Sequence, residues 1–228
     1  MGADLVAGAA LLPIGALSLR QVREAREIPF AAVPLLLGFH QLVESVVWAG
    51  ADGSVSSEIA HLAALVYVVI ALPLLPTLFP AAVWLIESPA RRRLVGPFLA
   101  LGVVVSTYMA WRLWQNGLNV VAHPYGLEYR VGLGFEEIWT GAYIVATMGA
   151  CLVSGYRTVV AFGVLNLIGL TVVGLAYAQA FASLWCVYAA LVSVLILVHM
   201  VWREPVSDSP PASGSLRPPR GPRMPQGS

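Results

Sequence analysis

The sequence predicts an all-α, polytopic integral membrane protein of about seven transmembrane helices, N-terminus out and C-terminus in. Three observations predict it. Hydrophobic residues make up 58% of the chain and charged residues 11%, where a soluble domain carries roughly 25% charged residues. Mean hydropathy is +0.78. Apolar runs near the ~20 residues a bilayer span needs follow one another along most of the 228 residues. The 13 basic side chains are all Arg, and most of them fall in alternate gaps between those runs. Arg20, Arg23 and Arg26 fill one gap, Arg91, Arg92 and Arg93 the next, then Arg157, then Arg203, Arg217, Arg220 and Arg223. The intervening gaps hold Arg112 and Arg130. This is the asymmetry of the positive-inside rule.

The spans are expected at roughly 3–19, 29–49, 58–87, 94–114, 135–154, 158–176 and 181–202. In the first, Asp4 precedes the apolar core and Arg20 follows it. That charge order is the reverse of a signal peptide's and keeps the segment as a span with its start outside. The second carries His40 and Glu44, in the run His40-Gln-Leu-Val-Glu44. The third is long and contains Pro73, Pro76 and Pro80. Each ring removes a backbone donor, so this helix is expected to kink, with neighbours covering its freed carbonyls. The fourth ends near Tyr108 and Arg112, and Glu136 and Glu137 open the fifth. The sixth holds Asn166, expected to bond between helices. The seventh ends at His199 and Trp202, read as interfacial beside Arg203. Residues 1–202 thus form one transmembrane domain. The Pro-, Ser-, Gly- and Arg-rich stretch 203–228 is expected to be a disordered cytoplasmic tail, its Arg side chains near lipid head groups.

Composition excludes several classes. A net charge of +1 gives no basic stripe for nucleic acid. Two cysteines, Cys151 and Cys186, expected at opposite depths, make no disulfide framework. Lys is absent, so no Schiff base of the retinal kind can form. His-Glu-x-x-His, Gly-x-Ser-x-Gly, Cys-x-x-Cys and phosphate-binding glycine loops are missing as well.

Ionisable groups inside spans are costly and need a reason. His40 and Glu44 are four apart and share a helix face, with Trp48 one turn further out. His61 lies one turn into the third span, after Glu58. Nearly all such groups map to the outer half, which suggests an outward-facing polar cavity. The long loop 114–134 contains His123, Glu128 and Arg130 among apolar residues. It reads either as a lid that brings those three toward His61 and Glu44, or as an amphipathic segment lying at the interface.

Several stretches resemble a bacterial family of small multi-span membrane proteins labelled only as a domain of unknown function. They are Gly2–Gly8, Arg26–Ala31, His40–Glu44, His123-Pro124, Glu128–Arg130, Ser154–Tyr156, Gly163–Asn166 and Phe181–Ala190. The resemblance covers nearly the whole chain up to Trp202. It implies an uncharacterised protein of the bacterial cytoplasmic membrane and supplies no catalytic residues. Family members begin with a Met-Cys-Phe-Ser stretch before the Gly-Ala-Asp segment. This chain begins Met1-Gly2, which leaves open a start upstream.

The candidate ligand or ion site is therefore His40, Glu44, His61, Arg112, His123, Glu128 and Arg130. Its best reading is a site that binds or passes a cation, proton or small solute. A second reading puts a metal or haem on His40, Glu44 and His61, in an intramembrane enzyme or redox protein. A third makes the polar groups packing contacts in a subunit of a membrane complex, with Glu44 neutral or paired to Arg112. No cofactor is specified by the sequence. The lipid bilayer is the one partner it names.

Overall fold

The computed structural model describes residues 2–123, 126–176 and 181–202. These are mostly helical. Helix α1 runs Gly2–Arg20. A 3-10 turn, Ala25–Glu27, and the short α2, Ile28–Ala31, lead into α3, Val33–Ala51. Helix α4, Ser57–Val69, continues through a π-helical turn, Ile70–Leu74, into α5, Leu75–Ile86. Helix α6 spans Pro89–Asn116. Helices α7 (Glu136–Leu152), α8 (Arg157–Ala176), α9 (Phe181–Val192) and α10 (Val194–Trp202) complete the order. Among the described residues, four stretches are long and apolar enough to cross a membrane: Ala25–Ala51, Ser57–Ile86, Pro89–Asn116 and Arg157–Leu175. The tail 203–228 and residues 177–180 lie outside the described residues.

The all-α expectation needs one correction. Between α6 and α7 the chain forms a two-stranded antiparallel sheet, β1 (Asn119–His123) and β2 (Gly126–Arg130). Asn119 pairs with Arg130 and His123 with Gly126. Side chains alternate across a strand. Leu127 and Tyr129 therefore face the bundle, and Glu128 and Arg130 face away from it.

The third span breaks regular winding where its prolines require it. Pro73 lies inside the π turn. There the amide of Leu75 donates five residues back, to the carbonyl of Ile70. The carbonyl of Ala71, the α-helical partner of Leu75, is left for a neighbour, and the Tyr143 hydroxyl donates to it at 2.8 Å. One turn further on, Pro80 has no amide hydrogen to give the carbonyl of Pro76. Helix α6 comes against that carbonyl at Gly102, where a side-chain methyl would overlap it. Small residues also bring α1 and α3 together. A Cβ on Gly8 would meet Leu42 and the Gly38 carbonyl, and one on Gly15 would meet Leu35. Close approach at glycine is how apolar helices gain contact in a solvent as apolar as they are.

The Arg-bearing turns gather at one end of the bundle. Buried Glu87 accepts from the Ser154 hydroxyl and, at 2.9 Å, from the Gly155 amide. Arg92 donates to the carbonyls of Trp84, Leu85 and Glu87 at 3.0–3.1 Å, closing the C-terminus of α5. Arg91 donates to the Val153 carbonyl at 3.3 Å. His199 belongs to this end too, but it is not exposed there. It is buried, its Nδ1 lies 2.7 Å from the Thr158 hydroxyl, and its ring sits edge-on to Phe30 and Tyr156. The helices around it leave no room for it to reach the surface beside Trp202.

Candidate functional site

Helix α3 sets the site. His40, Gln41 and Glu44 are all 0% exposed. The first and last share a face by their spacing, and Gln41 stands one residue round from His40. Helix α4, which runs into the π turn, supplies the wall opposite. Nε2 of His40 lies 3.0 Å from the carbonyl oxygen of Tyr67. A carbonyl can only accept, so Nε2 carries the proton and donates. Nδ1 of His40 and both ends of the Gln41 amide have no hydrogen-bond partner among the described residues.

Above this cluster stands a column of rings. The Tyr67 ring lies 3.9 Å from the His40 imidazole, at 16° to it. Tyr129 of β2 stacks on the other face of Tyr67, at 4.4 Å and 18°. Leu127, also of β2, is buried against Val47 of α3 and Ala64 of α4. The strand pair thus covers the end of α3 and α4 above Glu44. It is tied down where it returns to the helices. Asn116 donates to the Val131 carbonyl at 2.9 Å, Tyr108 to Gly134 at 3.0 Å, and Arg112 to Gly132.

The structure divides the sequence-derived candidates into three groups. His40 and Glu44 come together, with Gln41 between them. His123, Glu128 and Arg130 also come together, on the outward face of the sheet. Nε2 of His123 is 2.8 Å from the Glu128 carboxylate, and Arg130 holds it with two bonds, at 2.7 and 3.0 Å. The Arg130 guanidinium and the His123 imidazole hold the Glu128 carboxyl down at about 2, well below the usual range. The third group stands apart. His61 is exposed on α4, and Arg112 lies over the Trp111 ring and bonds Gly132. Among the described residues, no three of His, Cys, Asp and Glu are grouped as a metal site would require.

Other expectations resolve locally. Asn166 bonds within its own helix, its Nδ2 donating to the Phe162 carbonyl at 2.9 Å. Cys151 is a free, buried thiol, while the side chain of Cys186 falls outside the described residues. The sequence reading left out three members of the site: Gln41, Tyr67 and Tyr129. Gln41 was visible inside the run His40–Glu44 as a second polar side chain in an apolar helix. Tyr67 and Tyr129 carry no such mark, because their part depends on how α4 and β2 are turned toward α3.

No curated protein matches the chain, and neither does any solved structure. A family model does, across residues 1–211. Its description is "Family of unknown function (DUF6629)", and the chain belongs to that family.

Proposed function

We propose that the protein is a multi-pass protein of the bacterial cytoplasmic membrane whose buried cluster His40–Gln41–Glu44 binds a proton or small cation from the outer side. The chain crosses the bilayer seven times, N-terminus out, with the two shorter helices α9 and α10 together forming the last span. The gathering of Glu24–Glu27, Glu87–Arg93 and Ser154–Arg157 at one end supports this orientation, because that end carries the Arg excess.

One observation carries the functional reading: three fully buried polar side chains within five residues of one membrane-depth helix. A charge at the centre of a span costs roughly 2.5–3.5 kcal/mol on insertion scales. A buried amide left without partners costs roughly 1–3 kcal/mol. Such groups are retained where they do chemistry. Glu44 supplies the negative charge, Gln41 a carbonyl and an amine, and His40 an unprotonated Nδ1 facing the same space. The strand pair is the lid. It closes the outer mouth through Leu127 and Tyr129, while His123, Glu128 and Arg130 keep its far face wetted. Opening for a ligand lifts Tyr129 off Tyr67.

The test is melting of the detergent-purified protein across a series of pH values and of sodium and small ammonium salts. The wild type is expected to be stabilised by the cation it takes, and Glu44→Gln to lose that response. A wild type whose melting responds to neither protons nor cations, or a Glu44→Gln variant that responds like wild type, refutes the reading.

A further inference from the structure

One turn inward from His40 and Gln41, Leu37 of α3 forms part of the wall of an internal cavity of about 10 Å³. Leu75 and Phe79 of α5 line it too, as do Tyr143, Thr147 and Asn166. The volume matches a single water, which needs roughly 10–15 Å³ and two to four polar partners. An apolar hole of this size stays dry, so the polar groups decide. Asn166 is 1% exposed. Its Nδ2 donates to the Phe162 carbonyl, which fixes the amide's orientation. Its Oδ1 is left as a buried acceptor with no partner among the described residues. The Thr147 hydroxyl donates to the Tyr143 carbonyl at 2.8 Å, so its oxygen is still able to accept.

We propose that this cavity is a single-water site. The water donates one hydrogen to Asn166 Oδ1 and the other to Thr147 Oγ1. It carries the polar character of the His40–Gln41–Glu44 cluster past the middle of the membrane. The site itself stands on the cavity's volume, on Asn166 and Thr147 in its wall, and on the unpartnered Asn166 Oδ1. Its role as the inward continuation of the cation or proton site rests on the functional reading above.

The experiment is a high-resolution cryo-EM or crystal structure of the full chain, paired with melting of Asn166→Leu. Density is expected within hydrogen-bond distance of Asn166 Oδ1 in the wild type. Asn166→Leu is expected to lose it and to melt lower by roughly 2–4 °C or more, because a satisfied hydrogen-bond set is removed. An empty cavity in the wild-type map overturns the proposal. So does an Asn166→Leu variant that melts at or above wild type, since deleting an unpaired acceptor stabilises. Should Asn166→Leu fail to fold, Thr147→Val is read the same way. The outcomes separate the two claims. Density with no Glu44-dependent response upholds the water site and refutes the cation reading, and a Glu44-dependent response over an empty cavity does the reverse.

Discussion

His40 and Tyr67 are joined twice. The imidazole donates from Nε2 to the Tyr67 carbonyl at 3.0 Å, and its ring lies flat against the Tyr67 phenol at 3.9 Å. The bond fixes the tautomer and the stack fixes the plane, so Nδ1 is held in one direction within the buried cluster. Tyr67 in turn carries Tyr129. The position of the strand pair and the orientation of a buried histidine are therefore linked through one side chain.

Replacing Tyr129 tests that link. Tyr129→Ala removes a stacked pair worth about 0.5–1.5 kcal/mol beyond its buried area. Amide exchange over 119–130 is expected to accelerate, with the helices unaffected. Tyr129→Phe keeps the ring and is expected to exchange like wild type. Equal protection in Tyr129→Ala and wild type would show that the stack does not hold the strand pair.

The outward face of the sheet should respond to acid in a defined window. The Glu128 carboxyl is lowered from 4.5 to about 2 by Arg130 and His123. A depressed carboxyl stabilises above its unfolded value and loses that contribution as pH falls through its folded value. Exchange protection of β1 and β2 is expected to hold steady from pH 7 to 5 and to fall between pH 4.5 and 2. Glu128→Gln is expected to flatten the profile. A transition in Glu128→Gln identical to that of wild type would assign it to another group.

Gly102 tests the account of the proline-rich helix. Gly102→Ala drives a methyl into the Pro76 carbonyl. Overpacking of this kind costs about 1–3 kcal/mol, so a clear drop in melting temperature is expected. Gly96, beside which a Cβ meets nothing within 4 Å, is the control. Gly96→Ala is expected to match or exceed wild type, since alanine is the better helix former.

At the Arg-rich end, Glu87→Ala strands the Gly155 amide and the Ser154 hydroxyl. The buried Ser154 hydroxyl left so costs about 1–3 kcal/mol, and the half-buried Gly155 amide costs less. Glu87→Gln keeps an acceptor and should recover most of the loss. If the two variants melt alike, the carboxylate's charge matters more than its hydrogen bonds.

The helices were legible because an apolar run of about 20 residues is a long signal. Expected and observed limits for α1, α6 and α8 differ by a few residues, since Arg20, Ser88 and Arg157 mark where the apolar runs stop. The strands were not legible in the same way. Each is five residues long, and the alternation in Gly126–Arg130 sits in a loop whose polar residues drew more notice than its apolar ones. His40 and Glu44 stood out as ionisable groups in an apolar run. Their partner Tyr67 did not, since a tyrosine among Leu and Val is unremarkable until the rotation of α4 is known. The burial of His199 was missed for the reverse reason. Its neighbour Trp202 signals an interface, and nothing local signals that Phe30 and Tyr156 close over it.

The π turn at Ile70–Leu74 also sets a phase. A residue added to or taken from a helix rotates everything beyond it by about 100°. The wide turn acts as one such added residue, so α4 and α5 present different meridians to the bundle although they are one continuous rod. Tyr67 points at His40 and Phe79 at Phe162 only because the rod is dephased between them. Shortening this segment by one residue would keep the helix apolar and bilayer-long, yet swing one of those two rings away from its partner.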